Sequence, residues 1–354
     1  MEIIRGEKEW NKLIKSDFEN YNDVYFNYGY FNLYKMHYGT DFEGIFWEDR
    51  NIKIFLSHLI RDICKIKNLE NFDGYDLTTP YGYGGPIIVK KTNEPEKIRK
   101  SISDFEKEYQ NYCLDEKYIC EFFRFHPIYE NHICFSKIFN TQYLSDIRYI
   151  DLNQNIDTIK SNFKKGLRYN IKKSKNEGCD LKIIENPSSE DIDHFMECYN
   201  SMLCRNESSE KYHFSKQFIM DHFKFIKTFL ILAYYQKKVV GAGIFFKGET
   251  IMHYHLSGTL KLKGIYPNDL ILWESIKKSK DLGLKYFFLG GGVIKDDSLF
   301  EYKSGFSKLD MPFYIGKKIY DQNKYNQLVK HLNLVKPLNK DYFPEYRTFD
   351  STIV

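Results

Sequence analysis

The sequence predicts an α+β protein of two domains, each a mixed, mainly antiparallel sheet flanked by helices. Short apolar and alternating runs recur along the chain, and amphipathic helical repeats separate them. The order of strands and helices after residue 150 also resembles, in a more regular form, the order before it. At 354 residues the chain can build one or two domains with large cores. The expected domains are 1–150 and 151–354.

In the first half, EKEWNKLIKSDFEN (7–20) and YFNYGYFNLYKMHYG (25–39) read as helices. FEGIFWED (42–49) and NIKIFLSHLI (51–60) read as strands parted by the turn-forming Asp49-Arg50-Asn51. TTPYGYGGPIIV (78–89) marks a strand end and a turn. A charged helix, EPEKIRKSISDFEKEYQNY (94–112), leads to the strand KYICEFFRFHP (117–127), and IRYIDLN (147–153) closes the half.

The second half opens with one helix, DTIKSNFKKGLRYNIKKSKNEG (157–178), ended by Gly178. DLKIIEN (180–186) is a strand, and Ser188 caps a helix whose apolar residues Ile192, Phe195, Met196, Tyr199, Met202 and Leu203 recur at three and four. A further amphipathic stretch covers 214–227. FLILAYY (229–235), VVGAGIFF (239–246) and TIMHYHLSG (250–258) have links short enough for antiparallel hairpins. NDLILWESIKKSKDLG (268–283) is a helix capped by Asn268 or Asp269 and stopped by Gly283. KYFFLGG (285–291) and MPFYIGKKIYD (311–321) are strands, and NKYNQLVKHLNLV (323–335) is a closing helix.

Composition narrows the function. The formal charge is +4, from 52 basic and 48 acidic residues, too balanced for a protein that lives on bulk nucleic-acid electrostatics. Cys64, Cys113, Cys120, Cys134, Cys179, Cys198 and Cys204 are odd in number and form no C-x-x-C pair, so reduced thiols are expected and a zinc site is not. MEIIRGEKEW lacks the apolar core of a signal peptide, and TFLILAYY is far shorter than a membrane span. A cytoplasmic protein without an integral membrane segment is expected, with peripheral membrane association left open.

The stretch FFLGGGVIKDDSLFEYKSGFSK (287–308) asks whether this is a phosphate loop. A nucleotide-hydrolysing loop needs G-x-x-x-x-G-K-[ST] between strand and helix; here Lys295 follows Gly292 by three and an acidic pair follows it. Gly290–Gly292 instead end a strand where a ligand must approach the backbone closely, or form a plain turn.

The order strand, two helices, three antiparallel strands, helix, strand resembles the GNAT acyltransferase fold, and the chain resembles the FemABX-like branch with two such domains in tandem. RYNIKKSKNEG (168–178), DHFMECYNSM (193–202), VVGAGIFF (239–246) and residues 268–292 carry the resemblance. LFEYKSGFS (299–307) is similar to that family's phenylalanine-lysine-x-glycine-phenylalanine signature, with Tyr302 before the lysine. TPYGYGGP (79–86) resembles a recurrent turn in the first domain of related surface-glycan proteins. Ordinary GNAT enzymes hold the CoA pyrophosphate in an R/Q-x-x-G-x-G/A loop, whereas that place here reads KLKGIYPND. The donor is therefore open between acyl-CoA and aminoacyl-tRNA, although a helix N-terminus still offers amide donors.

Lys303, beside Tyr302 and Phe306, suits a phosphate or the charge developing on a tetrahedral intermediate, a role the resemblance also implies; a snorkelling surface lysine is the alternative. Arg168 with Lys164 and Lys172 at four-residue spacing forms a basic stripe fit for a diphosphate, or merely a solvated face. The resemblance places a phosphate-contacting arginine there. His253 and His255 share one face of a strand and Tyr254 the other. Either histidine is a candidate proton acceptor or a structural residue; Asp296, Asp297 and Glu301 are alternative bases. The resemblance makes the backbone near Ser257 the carbonyl-polarising element. Tyr81 and Tyr83 are an expected acceptor-side wall, and Asn268, Gly291 and Tyr302 complete the expected binding set.

These readings imply an N-acyltransferase in which a substrate amine attacks a donor carbonyl directly, with no metal and no bound cofactor. The donor, acyl-CoA or aminoacyl-tRNA, is a co-substrate. The resemblance makes the acceptor a nucleotide- or lipid-linked precursor of peptidoglycan or another surface glycan, with the first domain on the acceptor side and tRNA a possible partner. The competing readings are an RNA-binding module without catalysis and an inactive GNAT-like scaffold.

Overall fold

The computed structural model describes residues 1–209, 212–292 and 297–349. In chain order the elements begin with β1 (Glu2–Ile4), α1 (Glu7–Ser16), α2 (Tyr28–Tyr38), β2 (Asp41–Glu48), β3 (Ile52–Asp62), β4 (Tyr75–Thr78), β5 (Ile87–Lys90), α3 (Pro95–Asp115), β6 (Tyr118–Arg124) and α4 (His132–Phe135). There follow β7 (Asn140–Asp151), α5 (Ile156–Ser161), α6 (Lys165–Asn176), β8 (Asp180–Ile184), α7 (Ser189–Arg205) and α8 (Lys216–Phe225). The chain ends with β9 (Thr228–Tyr235), β10 (Lys238–Lys247), β11 (Ile251–Thr259), α9 (Pro267–Asp281), β12 (Tyr286–Gly290), α10 (Ser298–Lys303), β13 (Asp310–Ile319) and α11 (Gln322–Asn333).

The chain forms two compact units, one of residues 1–144 with 313–354 and one of residues 145–312. This corrects the expected division into 1–150 and 151–354. The reason lies in the closing strands. In unit 1 the returning strand β6 takes β13 as its antiparallel neighbour, through pairs such as Lys317 with Phe122. In unit 2 β12 takes β7, through pairs such as Phe287 with Ile150. The strand IRYIDLN, expected to close the first half, therefore closes the second unit.

Each unit repeats the same pattern. In unit 1 β2, β3 and β4 are antiparallel, and α3 crosses over to β6, which runs parallel to β4. In unit 2 β9, β10 and β11 are antiparallel, and α9 crosses over to β12, parallel to β11. The sheet of unit 1 runs β1-β2-β3-β4-β6-β13 with β5 on β3, and that of unit 2 runs β7-β12-β11-β10-β9-β8.

Aromatic residues fill the core of unit 1. Trp10 packs on Phe31, Phe42 and Phe55, and a side chain at Gly44 would run into Phe55 at 2.7 Å. Behind the sheet, His58 lies between two buried carboxylates, 3.4 Å from Glu43 and 3.1 Å from Glu121. Tyr112 and Tyr118 donate to Glu43, and Tyr109 and Tyr320 donate to Glu121. Burial opposes charge on the imidazole, but the two carboxylates outweigh it and raise its pKa to about 9.

In unit 2 the expected single helix over 157–178 is broken. The amide of Lys164 leaves the helix ladder and donates to the Gly305 carbonyl at 2.8 Å, so α5 and α6 are separate. Phe163 then meets Phe306 and Trp273. A side chain at Gly305 would strike Leu167 of α6 at 2.7 Å, which explains the glycine of the YKSGF stretch. Ser188 caps α7 as expected, in a reciprocal pair with Asp191. The seven cysteines are free. Among the described residues no helix is long and apolar enough to cross a membrane.

Candidate active site

The parallel pair β11–β12 stops at His253 with Phe288, and the two strands part beyond it. One residue of β11, His255, has no counterpart on β10, because Ile244 pairs with Leu256 and Phe245 with Tyr254. Such a bulge re-aims side chains. Regular alternation would send Tyr254 and Ser257 to opposite faces; the bulge puts them on one, where their hydroxyls hydrogen-bond.

Lys303 ends α10 and is buried, with its Nζ donating to the Gly291 carbonyl at 2.6 Å and lying 5.8 Å from the centre of the Tyr254 ring. Burial lowers its pKa to about 8, and Asp297 partly opposes the fall. Gly290 has a left-handed backbone, and a side chain there would come within 3.3 Å of the Lys303 Nζ. The glycines thus leave the parted strands open and position a cation at their mouth.

A hydrogen-bonded chain continues from Tyr254. Asn268 lies 3.2 Å from the Tyr254 hydroxyl and donates to the Tyr302 hydroxyl at 2.9 Å. Tyr302 donates to Asp269 at 2.7 Å, and Asn170 donates to the other oxygen of Asp269 at 2.8 Å. Burial raises the Asp269 pKa against the lowering effect of these two donors. Asn268 and Asp269 do not cap α9 as expected: the helix starts at Pro267, and both side chains turn toward Tyr302.

The structure therefore brings together Lys303, Tyr302, Asn268, Ser257 and Gly291 of the expected set. It adds Tyr254, Asp269 and Asn170, which the sequence reading did not assign to the site. Asn170 carries no sequence signal for this role, because its partner lies 99 residues away. Arg148 is a further addition: it bonds the Ser304 hydroxyl, the Lys308 carbonyl and Asp310, and stacks on Phe300, so it clamps the signature segment.

Other expected residues lie elsewhere. His253 packs edge-on to Phe288, and His255 stacks on Phe246 beside His222 of α8, on the sheet face opposite Tyr254 and Lys303. Burial and the two neighbouring histidines push the His255 pKa well down. Asp297 caps α10 by accepting from the Phe300 amide. Asp296 and Lys295 lie outside the described residues.

Arg168 is exposed and donates to the Ser161 carbonyl at 2.8 Å. Lys164 precedes α6 and pairs with Glu301, so its charge is matched locally, whereas Lys172 is exposed on the helix. A cavity of about 350 Å³ is lined by Ser161 and Asn162 together with Phe306, Ser307 and Lys308. In unit 1 Tyr83 is buried against Tyr25, His126 and Phe313, so packing corrects its expected role as a wall. Tyr81 is half-buried, and its amide donates to the Tyr34 hydroxyl. Gly82 is required by that turn, since a side chain would meet the Tyr25 ring at 2.1 Å.

The acetyltransferase (GNAT) domain family matches residues 161–304, the segment that holds this site. No curated protein matches the chain by sequence. Among solved structures the chain is similar to FemX, with a TM-score of 0.67 at 9% identity over 92% of this chain and 99% of that one. L-PGS from Bacillus licheniformis follows with a TM-score of 0.57 at 13% identity, covering 94% and 96% of the two chains. A tandem GNAT protein from the clavulanic acid biosynthesis pathway has a TM-score of 0.51 at 7% identity, covering 90% and 98%. The chain has the tandem GNAT fold seen in FemX, and its residues 161–304 match the acetyltransferase (GNAT) domain family.

Proposed function

We propose that this protein transfers an acyl or aminoacyl group to an amine by direct attack, in the opening between β11 and β12. The observation that carries the reading is Lys303, a buried cation aimed by α10 at the mouth of the parted strands. The donor carbonyl lies in that opening. The amine nitrogen bonds to the carbonyl carbon, and the oxyanion that forms is stabilised by β11 backbone donors near Ser257 and by the Lys303 ammonium. Collapse breaks the carbonyl bond to the donor's sulfur or oxygen, which leaves with a proton. The amine loses its proton to the Tyr302 hydroxyl, which passes its own to Asp269, while Asn268 holds that hydroxyl in place.

The acceptor in this reading is an amine on a nucleotide- or lipid-linked surface-glycan precursor, whose phosphates meet Arg168 and Lys172. The resemblance of the signature motifs supports that assignment, as does the exposed basic face of α6. The donor is acyl-CoA or aminoacyl-tRNA. Calorimetry with acetyl-CoA and with charged tRNA, side by side, separates the two. Mass spectrometry of amine acceptors incubated with the bound donor then tests transfer. Binding of neither donor, with no modified acceptor, would sink the proposal and favour an inactive scaffold.

A further inference from the structure

The repeat of the two units points to a second opening. In unit 2 the last parallel pair is His253 with Phe288, and two residues beyond Phe288 stands Gly290. In unit 1 the last parallel pair is Thr78 with Phe122, and two residues beyond Phe122 stands Arg124. After Thr78 the chain leaves β6 through the turn 79–86, and the next pairing among the described residues is the bridge of Gly84 with Phe125, one residue past β6. Arg124 thus occupies, in unit 1, the register position that Gly290 keeps clear in unit 2.

The Arg124 guanidinium has no ion pair among the described residues, and its Nη1 is sealed from solvent without a hydrogen-bond partner. The side chain as a whole stays partly accessible, with the Phe122 ring 5.0 Å from the guanidinium carbon. The ionisable groups that act on it most are Tyr342, Tyr81, Tyr34 and Arg61, with no carboxylate among them. Arg61 and Arg347 share the single carboxylate Asp76, each at 2.6 Å. Among the described residues Asp76 is thus the one carboxylate in an ion pair with any of these three guanidinium groups.

An arginine keeps its charge at neutral pH, and desolvating an unpaired charge is costly. Among the described residues no carboxylate is within ion-pair distance of Arg124 to offset that cost. We propose that Arg124 is an oxyanion-binding residue, holding a phosphate or carboxylate group of a small molecule in the opening of the unit 1 sheet. The planar fork suits two-point contact with such a group, and the Phe122 ring supports the guanidinium plane. This site is independent of the transfer chemistry assigned to unit 2.

The test is calorimetric titration of the full chain with inorganic pyrophosphate and with malonate, at 50 and about 200 mM NaCl, the span over which ionic contacts weaken. The wild type is expected to bind one equivalent of at least one probe, more weakly at the higher salt; the tighter probe identifies phosphate or carboxylate chemistry. Arg124→Met is expected to bind at least tenfold more weakly while melting no lower than the wild type without probe, because it removes an uncompensated charge. Arg168→Ala is expected to retain the binding. Failure of both probes on the wild type, affinity in Arg124→Met within threefold, or loss that follows Arg168→Ala instead would each overturn the proposal. Should Arg124→Met not fold, Arg124→Lys keeps the charge and loses the fork. It is expected to bind at least fivefold more weakly, and unchanged affinity there refutes the site.

Discussion

Replacing Lys303 by Met is expected to stabilise the protein while removing its activity. Burial lowers the Lys303 pKa from the ordinary 10.5 to about 8. At 1.36 kcal/mol per pH unit, this difference makes the buried ammonium about 3 kcal/mol unfavourable wherever both states are protonated. The variant forfeits the hydrogen bond to the Gly291 carbonyl, worth about 1 kcal/mol, so its net gain near pH 7 is about 2 kcal/mol. The sign follows from linkage. Between pH 8 and 10.5 the unfolded chain holds the lysine proton and the folded chain does not, so the wild type gains stability as pH rises through that window. The variant lacks this gain. Urea unfolding of both proteins at pH 7 and at about pH 10 isolates the effect, since every other titrating group cancels in the difference. In parallel, turnover should fall by about 100-fold, the scale of losing one oxyanion donor. A variant less stable than the wild type at pH 7, or a stability gap that does not shrink with pH, would refute the account of Lys303 as a desolvated cation. Turnover within threefold of the wild type would remove it from the chemistry.

Asp269→Asn is expected to cut turnover at least tenfold with the fold retained, since it removes the carboxylate behind Tyr302; circular dichroism and the transfer assay check both halves. His255→Gln is expected to keep turnover within threefold, because the ring stacks on Phe246 on the face away from Lys303. Gly82→Ala combines a φ of +113° with a clash against Tyr25 and is expected to cost at least about 2 kcal/mol, measured as a lowered urea midpoint.

Much of the architecture is local and therefore legible in the sequence. The alternating runs of β9, β10 and β11, the capping of α7 by Ser188, and the stop of α9 near Gly283 depend on neighbours a few residues away. The placement of both histidines opposite Tyr254 follows from alternation alone. The lysine of the signature stretch was legible as a candidate because a lysine among aromatics and glycines has few ordinary uses.

Tertiary structure decided the rest. Which strand closes which sheet depends on pairing between segments nearly 200 residues apart, such as Lys317 with Phe122, and no local pattern encodes that choice. The break between α5 and α6 exists because the Lys164 amide prefers the Gly305 carbonyl, a partner that periodicity cannot reveal. Tyr254 and Ser257 share a face only through a one-residue bulge, which changes side-chain direction without changing residue type. Asp269 reads as a helix cap, yet becomes a buried carboxyl once Asn170 and Tyr302 arrive from distant segments. Residue types and short-range spacing determined the elements and the candidate cation; desolvation and long-range hydrogen bonding, properties of the packed chain, determined which groups act together.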